Sequence, residues 1–417
     1  MKLKLIAFLF ISLCAIGTPI QRHVQAQRSA EDYVQEITQL LRDADQADLS
    51  DLEADARRQR ARQMAVQYAS GLKASNPTGE DRLWLGYLYY LANDTEKAVA
   101  TYREALGDKS LIEENKQQAR LYLIQRLSES GHADEAEAVL ASIPETSFNA
   151  DETLAQAHDT LAIAYTKQGQ MDKAVRHEEQ ALEAARKSGL IPRIWLTGRS
   201  LAQLYVALGR KADATKLLDE LKAYFDRQVR LAGGSPSEAI QTAFGQIETA
   251  QAQIEMVDKP APEITLVKWI KETATTLAAL RGQVVALEFW AAWCPDCRRL
   301  VPEVRNWHAR YAKDGLRILT VTRYYGFNGR DIGNSPQAEE ESFLLKFKQW
   351  RNLPYGTAID DGQRSFDTYH VRSIPTVAII DRAGRVRLVF TWDDNPALAE
   401  HMIKKLLAEP APSGTGN

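Results

Sequence analysis

One short segment of the sequence holds two reactive side chains at a fixed spacing. Cys294 and Cys297 are separated by two residues and follow an apolar segment, residues 284–293, that is typical of a buried strand. A cysteine at the start of a helix is stabilised as a thiolate by the helix dipole and by unpaired backbone N–H groups. A second thiol three positions later can attack the mixed disulfide that the first has formed. The segment therefore predicts thiol–disulfide exchange.

Two other uses of such a cysteine pair are a static structural disulfide and half of a zinc site. A disulfide that closes so short a loop removes little entropy from the unfolded chain, so it would add little stability. A zinc site needs four ligands, whereas the chain has one other cysteine, Cys14, and the nearest histidine is His308. The spacing therefore favours redox chemistry, and we expect neither a metal nor an organic cofactor.

The elements that must position the cysteines are strands and helices in alternation. Apolar segments rich in β-branched residues predict strands at residues 284–293, 316–322, 376–380 and 385–390. Helical periodicity predicts helices at residues 297–312, 339–350 and 396–407. This order of elements is typical of an α/β sandwich.

Residues 260–408 resemble the thioredoxin-fold domain of the TlpA-like, extracytoplasmic thiol–disulfide oxidoreductases. The segment LRGQVVALEFWAAWCPDCRRLVPEV is similar to the strand, active site and kinked helix of that family, and VRSIPTVAIIDRAGRV is similar to its later strand pair. The resemblance implies that Cys294 attacks, that Cys297 is the buried resolving cysteine, and that Pro375 is a cis-proline facing them. Residues 324–341 are longer and more polar than the family pattern, which predicts a reshaped rim of the substrate groove.

Glu288 is the candidate proton acceptor of this site. It lies six residues before Cys294, where thioredoxins carry a buried carboxylate. An apolar pocket would raise its pKa and let it accept the proton of Cys297 during resolution. The alternative is an outward-pointing strand residue, but the apolar neighbours of Glu288 argue for a strand buried on both faces.

Trp293, Pro295 and Ile374 are the expected substrate contacts. Pro375 has no N–H, and its cis bond would leave the backbone of Ile374 free to pair with an extended substrate strand. Trp293 and Pro295 flank Cys294 and would border the docking surface.

Residues 27–257 form an almost uninterrupted helical pattern that contains a repeat. Buried-type alanines recur at positions 98, 136, 174 and 214, and Gly131, Gly169 and Gly209 each stand five residues before one of them. The pattern over residues 81–225 resembles a divergent tetratricopeptide array. Stacked helix pairs of this type bind proteins on a concave face, where we expect Arg120, His158 and Arg199. The alternative is a plain helical bundle that only spaces or stabilises the neighbouring domain.

The amino terminus has the pattern of a secretory signal peptide. Lys2 and Lys4 precede a 12-residue apolar run, and the small residues around Ala26 provide a cleavage site. The run is too short to span a membrane, and Leu13 disfavours lipid attachment at Cys14. We therefore expect a periplasmic or otherwise extracytoplasmic protein without a stable membrane span. The chain then divides into a signal peptide (1–26), a TPR-like helical domain (27–257), a linker (258–262), a thioredoxin-like domain (263–408) and a disordered tail (409–417).

Taken together, the sequence predicts a multidomain protein, an all-α solenoid followed by an α/β thioredoxin fold. The balance of 52 basic and 55 acidic residues gives a net charge of −3, which argues against nucleic-acid binding. The leading hypothesis is a protein-disulfide reductase whose helical array recruits a protein client or an electron donor. The first alternative is an adaptor in which the helical array binds a partner and the thioredoxin-like domain is a redox-sensitive binding domain. The second is a peroxidase, which the Cys-x-x-Cys context disfavours.

The direction of electron flow is open from the residues alone. Asp296 disfavours the Cys294 thiolate, whereas Arg298 and Arg299 favour it. Reduction is what the resemblance implies, since TlpA-like proteins mostly reduce disulfides.

Overall fold

The computed structural model describes residues 28–44, 49–144, 149–391 and 395–410. The predicted signal peptide, which contains Cys14, lies outside these residues. Residues 411–417 of the predicted tail also lie outside them. Among the described residues, no helix combines the length and apolarity needed to cross a membrane.

The amino-terminal part of the described chain is entirely helical. Ser29 and Ser50 begin its first two helices with capping boxes, in which the serine side chain and an acidic side chain three residues later satisfy each other's backbone N–H. The helices are α1 (Ala30–Asp43), α2 (Asp51–Ala74), α3 (Glu80–Leu91), α4 (Thr95–Leu106), α5 (Glu113–Glu129), α6 (Ala133–Leu140), α7 (Ala150–Lys167), α8 (Met171–Ser188), α9 (Ile191–Ala207), α10 (Lys211–Leu231) and α11 (Glu238–Met256).

The predicted helix pairs are confirmed as α3–α4, α5–α6, α7–α8 and α9–α10. The four marker alanines lie in the second helix of each pair and are fully buried, so that a larger side chain would push the helices apart. Gly86 shows how close the helices come, since a Cβ there would lie 2.5 Å from the ring of Tyr102. Gly131, Gly169 and Gly209 have positive φ angles in the turns, a conformation that glycine adopts without strain.

The carboxyl-terminal part is a six-stranded sheet covered by helices. Its strands run in the order β1-β4-β3-β2-β5-β6, and β2 lies between parallel β3 and antiparallel β5. The elements are β1 (Leu266–Trp269), β2 (Val284–Phe289), α12 (Pro295–Tyr311), β3 (Leu316–Thr322), α13 (Gln337–Trp350), β4 (Gly356–Asp360), α14 (Arg364–Thr368), β5 (Thr376–Ile380), β6 (Val386–Thr391) and α15 (Pro396–Ala408).

Two of the predicted strands, β3 and β5, have the expected bounds, whereas β2 is shorter than predicted. It ends at Phe289, and the remaining predicted residues form the turn into α12. Strands β1 and β4 and helix α14 were not predicted from the sequence. Each has only four or five residues, and β1 is a half-exposed edge strand, so none carries a strong periodic signal.

The helical array and the sheet share one continuous apolar core, which runs from Leu83 in α3 to Leu406 in α15. Strand β6 packs against α9 and α11, and α15 packs against α7 and α9. Hydrogen bonds cross the contact from Gln253 Nε2 to His370 O (3.1 Å) and from Asn395 Nδ2 to Thr166 Oγ1 (3.0 Å).

Residues 258–262, predicted as a linker, are fixed along the start of β6. The Asp258 N–H donates to Val386 O and the Ala261 N–H donates to Gly384 O, each at 2.8 Å. Because these ladder bonds join the segment to the sheet, the two parts of the chain are held in one arrangement.

Candidate redox site

The two cysteines lie at the junction between β2 and α12, at the centre of the sheet. Cys294 is the N-cap of α12, and its sulfur accepts a hydrogen bond from the backbone N–H of Cys297 at 3.3 Å. Both side chains are free thiols, with Cys294 4% exposed and Cys297 fully buried. The helix therefore begins at the less deeply buried of the two cysteines, and the second cysteine is enclosed one turn later.

The two thiols have opposite pKa shifts. The pKa of Cys294 falls to about 7, mainly through the hydrogen bond between the two thiols, with help from the backbone N–H groups of Cys297 and Asp296. Burial and the negative charge of Asp296 oppose this shift. Burial strongly raises the pKa of Cys297, and the neighbouring Cys294 sulfur adds to the effect. Near neutral pH, Cys294 is thus partly a thiolate while Cys297 keeps its proton.

Glu288 lies on β2, whose six residues are all buried. Its side chain is 4% exposed, so it is not the outward-pointing residue of the alternative interpretation. Burial, together with the charge of the Cys294 thiolate, raises the pKa of the Glu288 carboxyl to about 8. The Glu288 charge in turn raises the pKa of Cys297, so the carboxyl is electrostatically linked to both sulfurs.

The loop before β5 faces Cys294. The Ile374–Pro375 peptide bond is cis, and the Cys294 thiol donates to the Ile374 carbonyl at 3.6 Å. Ile374 is half-buried and Pro375 is buried. On the side of the active-site turn, Trp293 is half-buried and Pro295 is exposed. The fold thus brings all the sequence-predicted site residues around one pair of sulfurs.

Tyr325, which was not predicted from the sequence, follows β3 and packs against the site. Its ring meets that of Trp293 edge to face at 5.3 Å, and the Arg323 guanidinium lies 4.7 Å from the Tyr325 ring centre. Burial raises the pKa of the Tyr325 hydroxyl, and the charges of both cysteines contribute. The signal in the sequence was the unusual length and polarity of residues 324–341, which did not single out this tyrosine.

Glu340 fixes the loop that carries Tyr325. Its carboxylate is 3% exposed and accepts the backbone N–H groups of Tyr325 (3.0 and 3.1 Å) and Gly326 (2.8 Å). Glu340 lies in an ordinary helical pattern at the start of α13, where one acidic residue looks like the next. Its role therefore depends on the three-dimensional arrangement.

The charged residues around the cysteines are largely paired. Asp296 forms an ion pair with Arg299 at 2.5 Å, which reduces the net field of both on Cys294. Arg298 donates to the carbonyls of Ala292 (3.1 Å) and Trp293 (2.7 Å) and so braces the active-site turn. No group of three or more His, Cys, Asp or Glu side chains in the described ranges is arranged to hold a metal ion.

The matches to known protein families fall separately on the helical array and on the sheet-containing part of the chain. Residues 257–389 match the AhpC/TSA family, and residues 157–191 match the tetratricopeptide repeat. The thiol–disulfide oxidoreductase ResA of Geobacillus kaustophilus is 30% identical over 152 residues, which cover 36% of this chain and 76% of ResA. The protein DipZ of Mycobacterium bovis is 29% identical over 137 residues, or 33% of this chain, and the match spans 18% of the length of DipZ.

Among solved structures, the thioredoxin-like superfamily protein SPOA0173 is 26% identical over 37% of this chain and 99% of its own, with a TM-score of 0.32. Proteins from several Bacillus species that are named thiol–disulfide oxidoreductase ResA also match, over 31–36% of this chain. Through its carboxyl-terminal third, the chain belongs to the family of thiol–disulfide oxidoreductases that includes ResA.

Proposed function

We propose that this chain is an extracytoplasmic thiol–disulfide oxidoreductase that reduces protein disulfides with Cys294 and Cys297. The observation that carries the proposal is the unequal pKa of the two thiols at the start of α12, lowered to about 7 in Cys294 and strongly raised in Cys297. Two-step exchange works best with an attacking thiol whose pKa lies near the ambient pH. A resolving thiol that stays protonated does not compete for the first attack.

In the first step, the Cys294 thiolate attacks one sulfur of a client disulfide. A mixed disulfide forms, and the other client sulfur leaves as a thiolate. The carbonyl of Ile374 lies 3.6 Å from the Cys294 sulfur, so an extended client segment that pairs with this loop would present its disulfide to the nucleophile. Trp293, Pro295 and Tyr325 border the same approach and would contact the client.

In the second step, Cys297 must lose its proton and attack the Cys294 sulfur. Forming the mixed disulfide removes the Cys294 charge, which is one of the two causes that raise the pKa of Glu288. The Glu288 pKa then falls, and its carboxylate becomes available to accept the proton of Cys297 at the moment of resolution. The client leaves reduced by two electrons, Cys294 and Cys297 form a disulfide, and an external dithiol donor must reduce them again.

The helical array is proposed to recruit a protein client or the electron donor. Its support is the stacked helix pairs and a group of half-buried aromatic side chains on α3 and α5, which we call the aromatic stripe: Trp84, Tyr87, Tyr90 and Tyr122. Amphipathic rings of this kind are frequent at protein interfaces. Arg199, expected on the free concave face, is instead buried where α9 meets the thioredoxin-like domain.

The extracytoplasmic location is supported by the signal-peptide pattern and by the retention of only two cysteines after cleavage at Ala26. A dithiol site in an otherwise cysteine-free mature chain avoids incorrect disulfides in an oxidising compartment.

Trapping with full-length Cys297→Ser tests the proposal. This variant should accumulate client mixed disulfides on Cys294, because the resolving thiol is missing. A Cys294→Ser variant of the same chain is the matched control and should carry none. Adding Tyr87→Ala to the Cys297→Ser trap should reduce the capture of native clients. Tyr87→Ala alone, in a protein that keeps both cysteines, should reduce insulin at the normal rate.

Insulin reduction with dithiothreitol as electron donor separates the two functional classes. Turnover supports the oxidoreductase. No turnover by the folded, reduced protein, together with intact client binding, would instead favour the adaptor.

A further inference from the structure

The first step of the proposed exchange creates a negative charge on the client that no residue named so far stabilises. When the Cys294 thiolate attacks, the client disulfide breaks and its electron pair stays on the other client sulfur. An ordinary alkyl thiol has a pKa of about 8.5, so its thiolate is a poor leaving group. A hydrogen-bond donor held beside this sulfur would stabilise the charge as it forms. The residue that supplies such a donor would be a further catalytic group of the site.

Tyr325 has a hydroxyl group whose hydrogen is not used within the protein. Three other tyrosines of the thioredoxin-like domain donate to a fixed acceptor: Tyr311 to Glu400 (2.5 Å), Tyr324 to Glu341 (2.6 Å) and Tyr369 to the Pro262 carbonyl (2.6 Å). The Tyr325 hydroxyl donates to no acceptor in the part of the chain that the structure describes, and its side chain is only half-buried. A phenol has one hydrogen to donate, so this one is available to a bound client.

The Tyr325 hydroxyl lies within electrostatic reach of both sulfurs. The Tyr325 ring meets the ring of Trp293, the residue before Cys294, edge to face at 5.3 Å. Burial is the main cause that raises the pKa of the Tyr325 hydroxyl, and negative charge on Cys297 or Cys294 adds to it. The hydroxyl therefore keeps its proton at neutral pH, and a charge that forms on a sulfur beside Cys294 would act on it directly.

The fold holds Tyr325 in this place before a client binds. The Glu340 carboxylate accepts the N–H groups of Tyr325 and Gly326. The Tyr325 carbonyl in turn accepts the Gly333 N–H at 2.8 Å. The Gly326 carbonyl accepts the Ser335 N–H at 3.0 Å. Because the backbone is bonded on both sides of the ring, the donor needs little reorganisation when the client arrives.

Arg323 makes the Tyr325 hydroxyl a stronger donor. Its guanidinium lies 4.7 Å from the centre of the Tyr325 ring, and its Nη1 donates to the side chain of Gln363. The positive charge of Arg323 acts on the pKa of the Tyr325 hydroxyl in the direction opposite to burial. A cation beside a phenol favours its hydrogen bond to an anion. A thiolate that forms here would therefore meet a donor and a positive field together.

We propose that the Tyr325 hydroxyl donates a hydrogen bond to the client sulfur that leaves in the first step, so that Tyr325 is a further catalytic residue. This inference rests on the proposed function, because it concerns the same exchange reaction. The client S–S bond breaks, a bond forms between Cys294 and one client sulfur, and the electron pair goes to the other client sulfur. Tyr325 keeps its proton throughout, and the leaving thiolate takes a proton from solvent.

The test measures the rate of attack by Cys294 in full-length Cys297→Ser, in which the reaction stops at the mixed disulfide. Tyr325→Phe keeps the ring and removes the hydroxyl. With hydroxyethyl disulfide, which releases an alkyl thiolate, Tyr325→Phe should slow the attack about tenfold. With dithiobis(nitrobenzoate), whose aryl thiolate is a good leaving group, it should slow the attack less than about twofold. Tyr324→Phe is the matched control and should change neither rate, because that hydroxyl is bonded to Glu341.

Alkylation by iodoacetamide distinguishes the proposed role from an effect on the Cys294 thiolate itself, because iodide leaves in place of a sulfur. Tyr325→Phe should be alkylated at the same rate as its parent. The proposal is overturned if Tyr325→Phe slows both disulfides and the alkylation alike, if it slows neither disulfide, or if Tyr324→Phe has the same effect. Failure of the proposed function gives a different result, since the protein that keeps Tyr325 would then attack neither disulfide.

Discussion

Buried carboxyl groups with raised pKa values occur in both halves of this molecule, and their surroundings differ. In the thioredoxin-like domain, burial and the neighbouring Cys294 charge raise the pKa of Glu288. In the array, burial and the neighbouring Asp159 charge raise the pKa of Glu178, which is fully buried between α7 and α9. Of these two carboxyl groups, Glu288 is the one that is electrostatically linked to the sulfurs of the candidate redox site.

The comparison shows that a raised carboxyl pKa reports burial, and that catalysis additionally needs a reacting neighbour. Glu178 interacts with Ser200 and Arg193, which are hydrogen-bonding and charged groups without redox chemistry. In the proposed mechanism, the Glu288 carboxyl instead exchanges a proton with Cys297, next to a Cys294 sulfur whose charge changes during each turnover.

The largest effect is expected from Cys294→Ser, which removes the proposed attacking thiol of the thioredoxin-like domain. Insulin reduction should fall by at least about 1,000-fold, since no other group can form the mixed disulfide. The rate is measured with dithiothreitol as donor and corrected for the uncatalysed reaction. Residual turnover within tenfold of the unchanged protein would mean that Cys297 attacks directly.

The next-largest effect is found by making the same substitution at each of the two buried carboxyl groups. Glu288→Gln should slow the resolution of the mixed disulfide by about 100-fold or more, because the side chain no longer accepts a proton. Glu178→Gln, the matched change in the array, should leave that rate unchanged. Single-turnover release of a labelled peptide measures both. Equal rates for Glu288→Gln and the unchanged protein across pH 6 to 9 would remove Glu288 from the mechanism.

A smaller effect is expected from Asp296→Asn, which changes the field on the attacking thiol alone. The Asp296 charge raises the pKa of Cys294, so its loss should lower that pKa and leave more thiolate below neutral pH. Alkylation of Cys294 by iodoacetamide should be about twofold faster at pH 6 and unchanged at pH 9. A slower reaction at pH 6 would mean that removing the Asp296 charge and freeing Arg299 do not lower the pKa of Cys294.

The smallest effect concerns stability and belongs to the array. The folded state raises the pKa of Glu178 above its ordinary value of 4.5, so this group favours folding fully below that pH and less as the pH rises. Glutamine carries no proton to lose. The melting temperature of Glu178→Gln minus that of the unchanged protein should therefore increase as the pH is raised from about 5 to about 8.

Glu220→Gln is the control for this measurement, because Glu220 is exposed on α10 and forms an ion pair with Lys216. It should show no comparable trend. If the difference in melting temperature for Glu178→Gln does not change with pH, the Glu178 carboxyl is not protonated in the folded protein.

The amino-acid sequence by itself determined the chemistry and the order of elements. The spacing of Cys294 and Cys297 is covalent, so it places two sulfurs at the start of one helix in any fold that forms that helix. Strands β3 and β5 and the four helix pairs follow from local periodicity, which depends only on neighbours along the chain. Burial of Glu288 could also be anticipated, because its strand is apolar on both sides.

Only the tertiary structure decided which distant residues meet. Tyr325 reaches Trp293 because buried Glu340 holds its loop, and Arg199 is covered because β6 packs on α9. The opposite pKa values of the two thiols depend on the depth of each sulfur and on the N–H groups that face it. Such contacts join residues far apart in the chain. Their free energies come from packing and desolvation, which a local pattern of residues does not encode.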